Sequence, residues 1–235
     1  MTLVLVEMLL IGAFFGWRFY TIRKALRRFS EENSREIVTK TPQIVTIKNF
    51  LDDSDITSLK RMAKPRLRRS RVITEKRQKA EQASLRTTSS AMLVGFKLNP
   101  VLSIIRKKAS VVTGLPMSHI EGLQVVRYQK GEAYGPHYDA FDFERYPKLK
   151  QRGQRLFTLI VYLNDLPRSS GDTVFPELGI SIQPQKGSAL FFKNTDSQGN
   201  LDRRMLHEGS QLQTETEKWI VNIWVRDQSL HFNLH

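Results

Sequence analysis

Tyr134-Gly135-Pro136-His137-Tyr138-Asp139 is the stretch on which the reading of this chain turns. Run extended, it sends alternate side chains to opposite faces, so His137 and Asp139 share one face and Tyr138 takes the other. Far downstream, Arg204-Met205-Leu206-His207-Glu208-Gly209 offers a second imidazole. A His-x-Asp triplet often arises by chance, and a lone histidine is more often a hydrogen-bonded structural residue than a ligand. Order and context separate the two readings. The triplet comes first, strand-like runs follow, then the distal histidine, then Lys218 opening the strand-like run to Val225. Two imidazoles and one carboxylate on one side of an ion leave three coordination positions open, the donor set of non-heme Fe(II) oxygen chemistry. Lys218 adds a fixed cation suited to an anionic co-substrate.

Outward from this stretch, the second half of the chain reads as short β segments separated by turns. They are Leu123–Gln129, Tyr134–Asp139, Leu156–Leu163, Thr173–Phe175, Ile180–Ile182, Ala189–Lys193, Arg204–His207 and Trp219–Val225. Strands so short and so regularly punctuated predict a two-sheet roll, with His137, Asp139 and His207 near its open mouth. The first half predicts support: a strand in Gln43–Phe50 and a helix in Leu51–Ala63 capped by Asp52 or Asp53. A second helix starts at Asn99-Pro100 and ends at Gly114. Residues 75–90 are polar without apolar periodicity and predict a flexible excursion. The expected class is α+β, mainly β: a double-stranded β-helix (jelly-roll) core with packed helices, preceded by an N-terminal transmembrane helix. The expected organisation is an anchor at 1–22, a basic stalk at 23–42, a helical and strand support at 43–114, the core at 115–228 and a tail at 229–235.

A chain of 235 residues with 40% hydrophobic content can bury one substantial core. It contains no cysteine, which excludes zinc-thiolate sites, iron–sulfur clusters, thiol nucleophiles and disulfides. The net charge of +14 is concentrated after the apolar N-terminus (Arg18 to Arg28) and in Arg61 to Arg71. The second cluster has no interleaved aromatics, so a nucleic-acid partner is not expected. Residues 3–22 are nearly all apolar or aromatic, long enough to reach across a bilayer, with Trp17 and Tyr20 suited to its interface.

From about Gln43 to Arg226 the chain resembles the catalytic domain of prolyl 4-hydroxylase alpha subunits, within the 2-oxoglutarate and Fe(II)-dependent dioxygenases. The resemblance is carried by Ala63-Lys-Pro-Arg-Leu-Arg-Arg-Ser, Arg86-Thr-Thr, Glu121-Gly-Leu-Gln-Val-Val-Arg-Tyr, Tyr134-Gly-Pro-His-Tyr-Asp, Gln154-Arg-Leu-Phe-Thr, Val161-Tyr-Leu-Asn-Asp, Thr173-Val-Phe-Pro-Glu, Pro184-Gln-Lys-Gly-Ser-Ala-Leu-Phe-Phe and Lys218-Trp. It implies that His137, Asp139 and His207 bind iron. It also implies that Lys218, Tyr128 and Thr158 hold the distal carboxylate of 2-oxoglutarate, a buried charge that needs a countercharge and hydrogen bonds. Tyr134, Arg86, Glu121 and Trp224 would form the peptide groove. The implied reaction is hydroxylation of proline in a peptide or protein, with O₂ consumed, succinate and CO₂ released, and L-ascorbate as an accessory reductant.

The chain departs from that family where Ser170-Gly171-Asp172 replaces a Gly-Gly-acid run and where the paired cysteines of the collagen-type enzymes are missing. These departures weigh against a collagen substrate and a disulfide-isomerase partner. Rival readings are a nucleic-acid demethylase or another amino-acid hydroxylase on the same scaffold, and a non-catalytic membrane-tethered binding module. The resemblance implies single-pass attachment to the endoplasmic reticulum membrane with the domain in the lumen. The basic residues after the apolar run imply a cytosolic domain instead, so its orientation stays open.

Overall fold

The computed structural model describes residues 20, 22–70, 86–95 and 99–230. The expected anchor at 1–22 therefore lies almost wholly outside the described residues. Among those described, no helix is long and apolar enough to cross a membrane. Helix α1 covers 22–32, α2 Asp53–Ala63 and α3 Pro100–Thr113. The strands are β1 Arg35–Thr39, β2 Ile44–Ile47, β3 Arg68–Arg69, β4 Ser89–Leu93, β5 Leu123–Tyr128, β6 Tyr134–His137, β7 Arg155–Tyr162, β8 Thr173–Phe175, β9 Ile180–Ile182, β10 Ala189–Lys193, β11 His207–Gly209 and β12 Lys218–Arg226.

Two antiparallel sheets face each other. The larger runs β1-β2-β10-β7-β12-β5-β4-β3 and the smaller β6-β11-β8-β9. Alternation along the central strands divides the core in two. Leu123, Val125, Leu159, Val161, Val221 and Ile223 point outward and are covered by Ile56 and Leu59 of α2 and Leu102 and Ile105 of α3. Val126, Tyr128, Ile160, Tyr162 and Ile220 point inward and meet Phe175, Met205 and Leu212 of the opposite layer. Every residue of β12 is buried because both of its faces are covered.

The helix ends follow their sequence signals. Asp52 accepts the backbone N–H of Asp55 at 2.9 Å, Asn99 accepts that of Leu102 at 3.2 Å ahead of Pro100, and Gly114 ends α3 at φ 72°.

Three expectations are corrected. The stalk at 23–42 is part of the folded unit: β1 pairs with β2, and Phe29 of α1 is buried edge-on against Phe50. As a largely exposed edge strand, β1 has no alternating pattern to announce it. The excursion at 75–90 overlaps β4, whose Ser89 and Ser90 are paired with β5; residues 71–85 lie outside the described set. The run Arg204–His207 is not one strand. Arg203–Met205 is a short 3₁₀ turn capped by Asp202, and the strand starts at His207.

Candidate active site

His137 and His207 stand directly opposite each other where β6 pairs with β11, so their side chains leave the sheet on the same face. Strand β6 stops at His137, and Asp139 lies in the bend beyond it rather than in the extended stretch the sequence suggested. Gln154 holds that bend, donating to the Phe141 carbonyl at 2.8 Å and accepting the Phe141 N–H at 2.7 Å. The bend turns the Asp139 carboxylate back toward both imidazoles. His207 Nε2 lies 3.6 Å from Asp139 Oδ2, and His137 Nε2 lies 4.0 Å from Oδ1. One donor atom from each of the three residues falls within 4.8 Å of the others.

The donor chemistry suits a divalent ion. His137 Nδ1 donates to the Gly135 carbonyl at 2.9 Å and His207 Nδ1 to the Met205 carbonyl at 3.0 Å. Each bond fixes the tautomer that leaves Nε2 with a lone pair aimed at the common centre. Burial, reinforced by the neighbouring His207, pushes the His137 imidazole down to about 3, so it is neutral and able to donate. Burial works to raise the Asp139 carboxyl. The two imidazoles, Arg155 and the Thr158 hydroxyl outweigh it and hold the group below the usual carboxylate range. Tyr134 stacks on His137 with centroids 3.6 Å apart, while Phe192 and Phe175 flank His207 at 5.0 and 5.7 Å.

Behind the triad a narrow cavity runs between the sheets to Lys218, with Tyr128, Thr173, Gly209 and Ile220 in its walls. Lys218 is 1% exposed and sits beside Tyr128 in the register of β12 and β5. Its ammonium lies 4.7 Å from the Tyr128 ring centroid and donates no hydrogen bond among the described residues. Burial pushes Lys218 down to about 7, with Asp172 acting weakly in the opposite sense. A Cβ at Gly209 would come within 3.0 Å of the Tyr128 hydroxyl, so glycine there keeps room for that group.

Thr158 is placed differently from the sequence expectation. Its hydroxyl donates to Asp139 Oδ2 at 2.8 Å and accepts from Asn194 Nδ2 at 2.9 Å, so it serves the triad and does not line the cavity with Lys218. Thr173 takes that place. Its oxygen accepts the Tyr162 hydroxyl at 2.9 Å, which leaves its own proton for the cavity. Nothing in the sequence singles out Thr173, because a threonine at the start of a three-residue strand looks like any other.

The four expected groove residues do not play equal parts. Arg86 donates to Thr88 and Gln124 and lies over the Tyr134 ring at 4.4 Å, bracing that ring against His137. Glu121 is tied into an ion-pair cluster. It accepts from Arg155 at 2.8 and 3.0 Å and from Arg226 at 2.7 Å. Arg155, another residue the sequence reading missed, lies over the Trp224 ring at 3.9 Å. Tyr134, Arg155 and Trp224 thus form a stacked aromatic and guanidinium cluster beside the triad.

A double-layered β roll with two imidazoles, a carboxylate and a buried lysine between its sheets defines an Fe(II) and 2-oxoglutarate oxygenase. The family model described as "2OG-Fe(II) oxygenase superfamily" matches residues 123–226. "Probable prolyl 4-hydroxylase 10" of Arabidopsis thaliana is 33% identical over 229 residues, covering 87% of this chain and 78% of that protein. "Prolyl 4-hydroxylase subunit alpha-1" of Homo sapiens is 34% identical over 193 residues, covering 81% of this chain and 36% of that longer protein. Among solved structures, the viral collagen prolyl hydroxylase of Paramecium Bursaria Chlorella virus-1, in its 2OG complex, superposes with a TM-score of 0.61 at 28% identity. The match covers 78% of this chain and 95% of the viral one. The chain belongs to the prolyl 4-hydroxylase family of 2-oxoglutarate and Fe(II)-dependent dioxygenases.

Proposed function

We propose that this chain hydroxylates proline residues in a peptide or protein, consuming O₂ and 2-oxoglutarate and releasing succinate and CO₂. The observation that carries the reading is the convergence of His137, Asp139 and His207 at the mouth of a cavity whose far wall holds a buried ammonium without a hydrogen-bond partner among the described residues. His137, Asp139 and His207 would hold Fe(II), which with 2-oxoglutarate supplies the oxidising power needed to hydroxylate an unactivated C–H.

The protein's own contribution is placement. Lys218 offers the countercharge for the distal carboxylate, and the hydroxyls of Tyr128 and Thr173 stand in the same walls to complete its hydrogen bonds. The faces of Tyr134 are covered by His137 and Arg86 and one face of Trp224 by Arg155, so their ring edges are what they offer to a proline-containing chain, and Arg155 keeps the N–H groups not given to Glu121 for the carbonyls of that chain. The apolar wall formed by Phe175, Phe192 and Ile220 limits water behind the triad.

L-Ascorbate as the reductant that keeps iron ferrous, and attachment to the endoplasmic reticulum membrane through 1–22, extend this reading on the strength of the family resemblance and the apolar N-terminal run. A glycosylation acceptor engineered into 75–85 would report the orientation: its modification places the domain in the lumen, and an unmodified acceptor on membrane-bound protein places it in the cytosol. The activity itself is tested by incubating the purified chain with Fe(II), 2-oxoglutarate, ascorbate and proline-containing peptides. Mass spectrometry should show one added oxygen on proline, absent with His207→Ala. Peptides left unmodified while 2-oxoglutarate is consumed would point to another substrate class.

A further inference from the structure

We infer that Asn194 and Thr158 form a positioning relay that holds the Asp139 carboxylate in its metal-binding orientation, with no part in binding the co-substrate. The inference rests on the metal-site reading above and goes beyond it in assigning what aims the carboxylate.

The two histidines are aimed by the sheet, because they occupy opposed positions in the β6–β11 ladder and each has a backbone carbonyl fixing its ring. Asp139 has no such support. It lies in a bend past the end of β6, so strand pairing does not set the direction of its side chain. The only hydrogen bond its carboxylate accepts among the described residues comes from the Thr158 hydroxyl at 2.8 Å. Thr158 is a rigid place to tie it. The residue sits in the middle of β7, paired with Phe192 of β10 on one side and Trp224 of β12 on the other, and is fully buried.

Proton counting gives the relay its direction. A threonine hydroxyl has one proton, and an ionised carboxylate can only accept. Asn194 Nδ2 donates to the Thr158 oxygen at 2.9 Å, so the hydroxyl proton is left for Asp139. Asn194 follows directly on β10 and is 2% exposed, so this donor too is fixed by the large sheet. The bond lands on Oδ2, the oxygen 3.6 Å from His207 Nε2, while Oδ1 faces His137 Nε2 at 4.0 Å. The carboxylate is thereby held with each oxygen turned to one imidazole, and rotation about its Cβ–Cγ bond is blocked. Partners of this kind behind a metal ligand typically change affinity by about 10–100-fold when removed.

The test separates metal from co-substrate. Mn(II) affinity is measured by EPR titration of the full chain, and 2-oxoglutarate affinity is measured at saturating Mn(II). Thr158→Val, which keeps the shape and removes the hydroxyl, should weaken Mn(II) binding about 10–100-fold and leave 2-oxoglutarate affinity at saturating metal unchanged. Thr158→Ser should restore Mn(II) binding, and Asn194→Ala should cause a smaller loss of the same kind. If Thr158→Val does not fold, the Ser and Asn194 variants carry the same comparison. Wild-type Mn(II) affinity in Thr158→Val or Asn194→Ala overturns the relay. So does a loss of 2-oxoglutarate affinity with metal binding intact, which would return Thr158 to the co-substrate. Failure of the unsubstituted chain to bind Mn(II) overturns the metal-site reading itself.

Discussion

At the scale of single residues, the site divides into groups that hold the ion and groups that hold the acid behind it. Replacing His137, Asp139 or His207 with alanine removes one of three protein donors. Each variant should lose 2-oxoglutarate turnover and stoichiometric metal while keeping its circular dichroism spectrum; full activity of His207→Ala with metal bound would dissolve the triad. Lys218 makes a different prediction. A charge-assisted hydrogen bond is worth about 1.5–3 kcal/mol, so Lys218→Ala should raise the 2-oxoglutarate requirement by about one to two orders of magnitude with metal affinity nearly unchanged. Lys218→Arg should not rescue it, since a planar fork does not fit a cavity shaped around an ammonium.

The pH dependence of Lys218 has two opposite signs. Its folded value near 7 lies below the ordinary 10.5, so between the two the unfolded chain binds a proton that the ligand-free fold does not. The stability of the ligand-free domain should therefore rise with pH across that window and be lost as pH falls toward 7. Binding of 2-oxoglutarate should weaken as pH rises above 7, because the countercharge is lost. Calorimetry of wild type and Lys218→Met across this range separates the two trends.

At the scale of elements, the strands are arranged so that neighbours supply what one segment lacks. The β6–β11 ladder aims the histidines, β7 reaches the carboxylate, β12 delivers the lysine and β5 lays Tyr128 beside it. The Glu121–Arg155–Arg226 cluster joins the segment before β5 to β7 and β12. Burial acts to raise Glu121, and the two guanidiniums outweigh it and hold the carboxyl below its ordinary value. Its contribution to stability is present above that ordinary value and is lost as pH falls through the lower folded one. Glu121→Ala leaves two buried guanidiniums without their carboxylate and should cost about 3–5 kcal/mol, read by denaturant unfolding. A change below about 0.5 kcal/mol would mean that the cluster is solvated in practice.

What the sequence disclosed follows from the same division. His137 and His207 are two of only five histidines and stand with Asp139 and Lys218 in a recognisable order, so their convergence was legible. Which threonine faces which acid was not. Thr158 and Thr173 both sit at inward positions on strands, and only the distances separate the one bonded to Asp139 from the one in the cavity wall. Strand β1 was hidden because a largely exposed edge strand lacks the alternation that marks a half-buried one, and β4, an inner strand, because its serine-rich start reads as loop.

At the scale of the molecule, the support and the core are one folding unit. Strands β2 and β4 from the first half flank the central strands of the second, and α2 and α3 cover the outer face of the same sheet. A fragment beginning at residue 115 would expose that face and should fail to fold cooperatively; a sharp unfolding transition in such a fragment would contradict this. The fold thus places the triad at the mouth of a cavity closed by Lys218, with the Tyr134, Trp224 and Arg155 cluster beside it. This arrangement would couple 2-oxoglutarate consumption to proline hydroxylation. The most direct test is the ratio of succinate to hydroxyproline formed by the purified chain on a proline-containing peptide. Equal amounts are expected, with succinate formation strongly dependent on the peptide. Succinate that forms at the same rate without peptide, or with the hydroxyl on a residue other than proline, would contradict it.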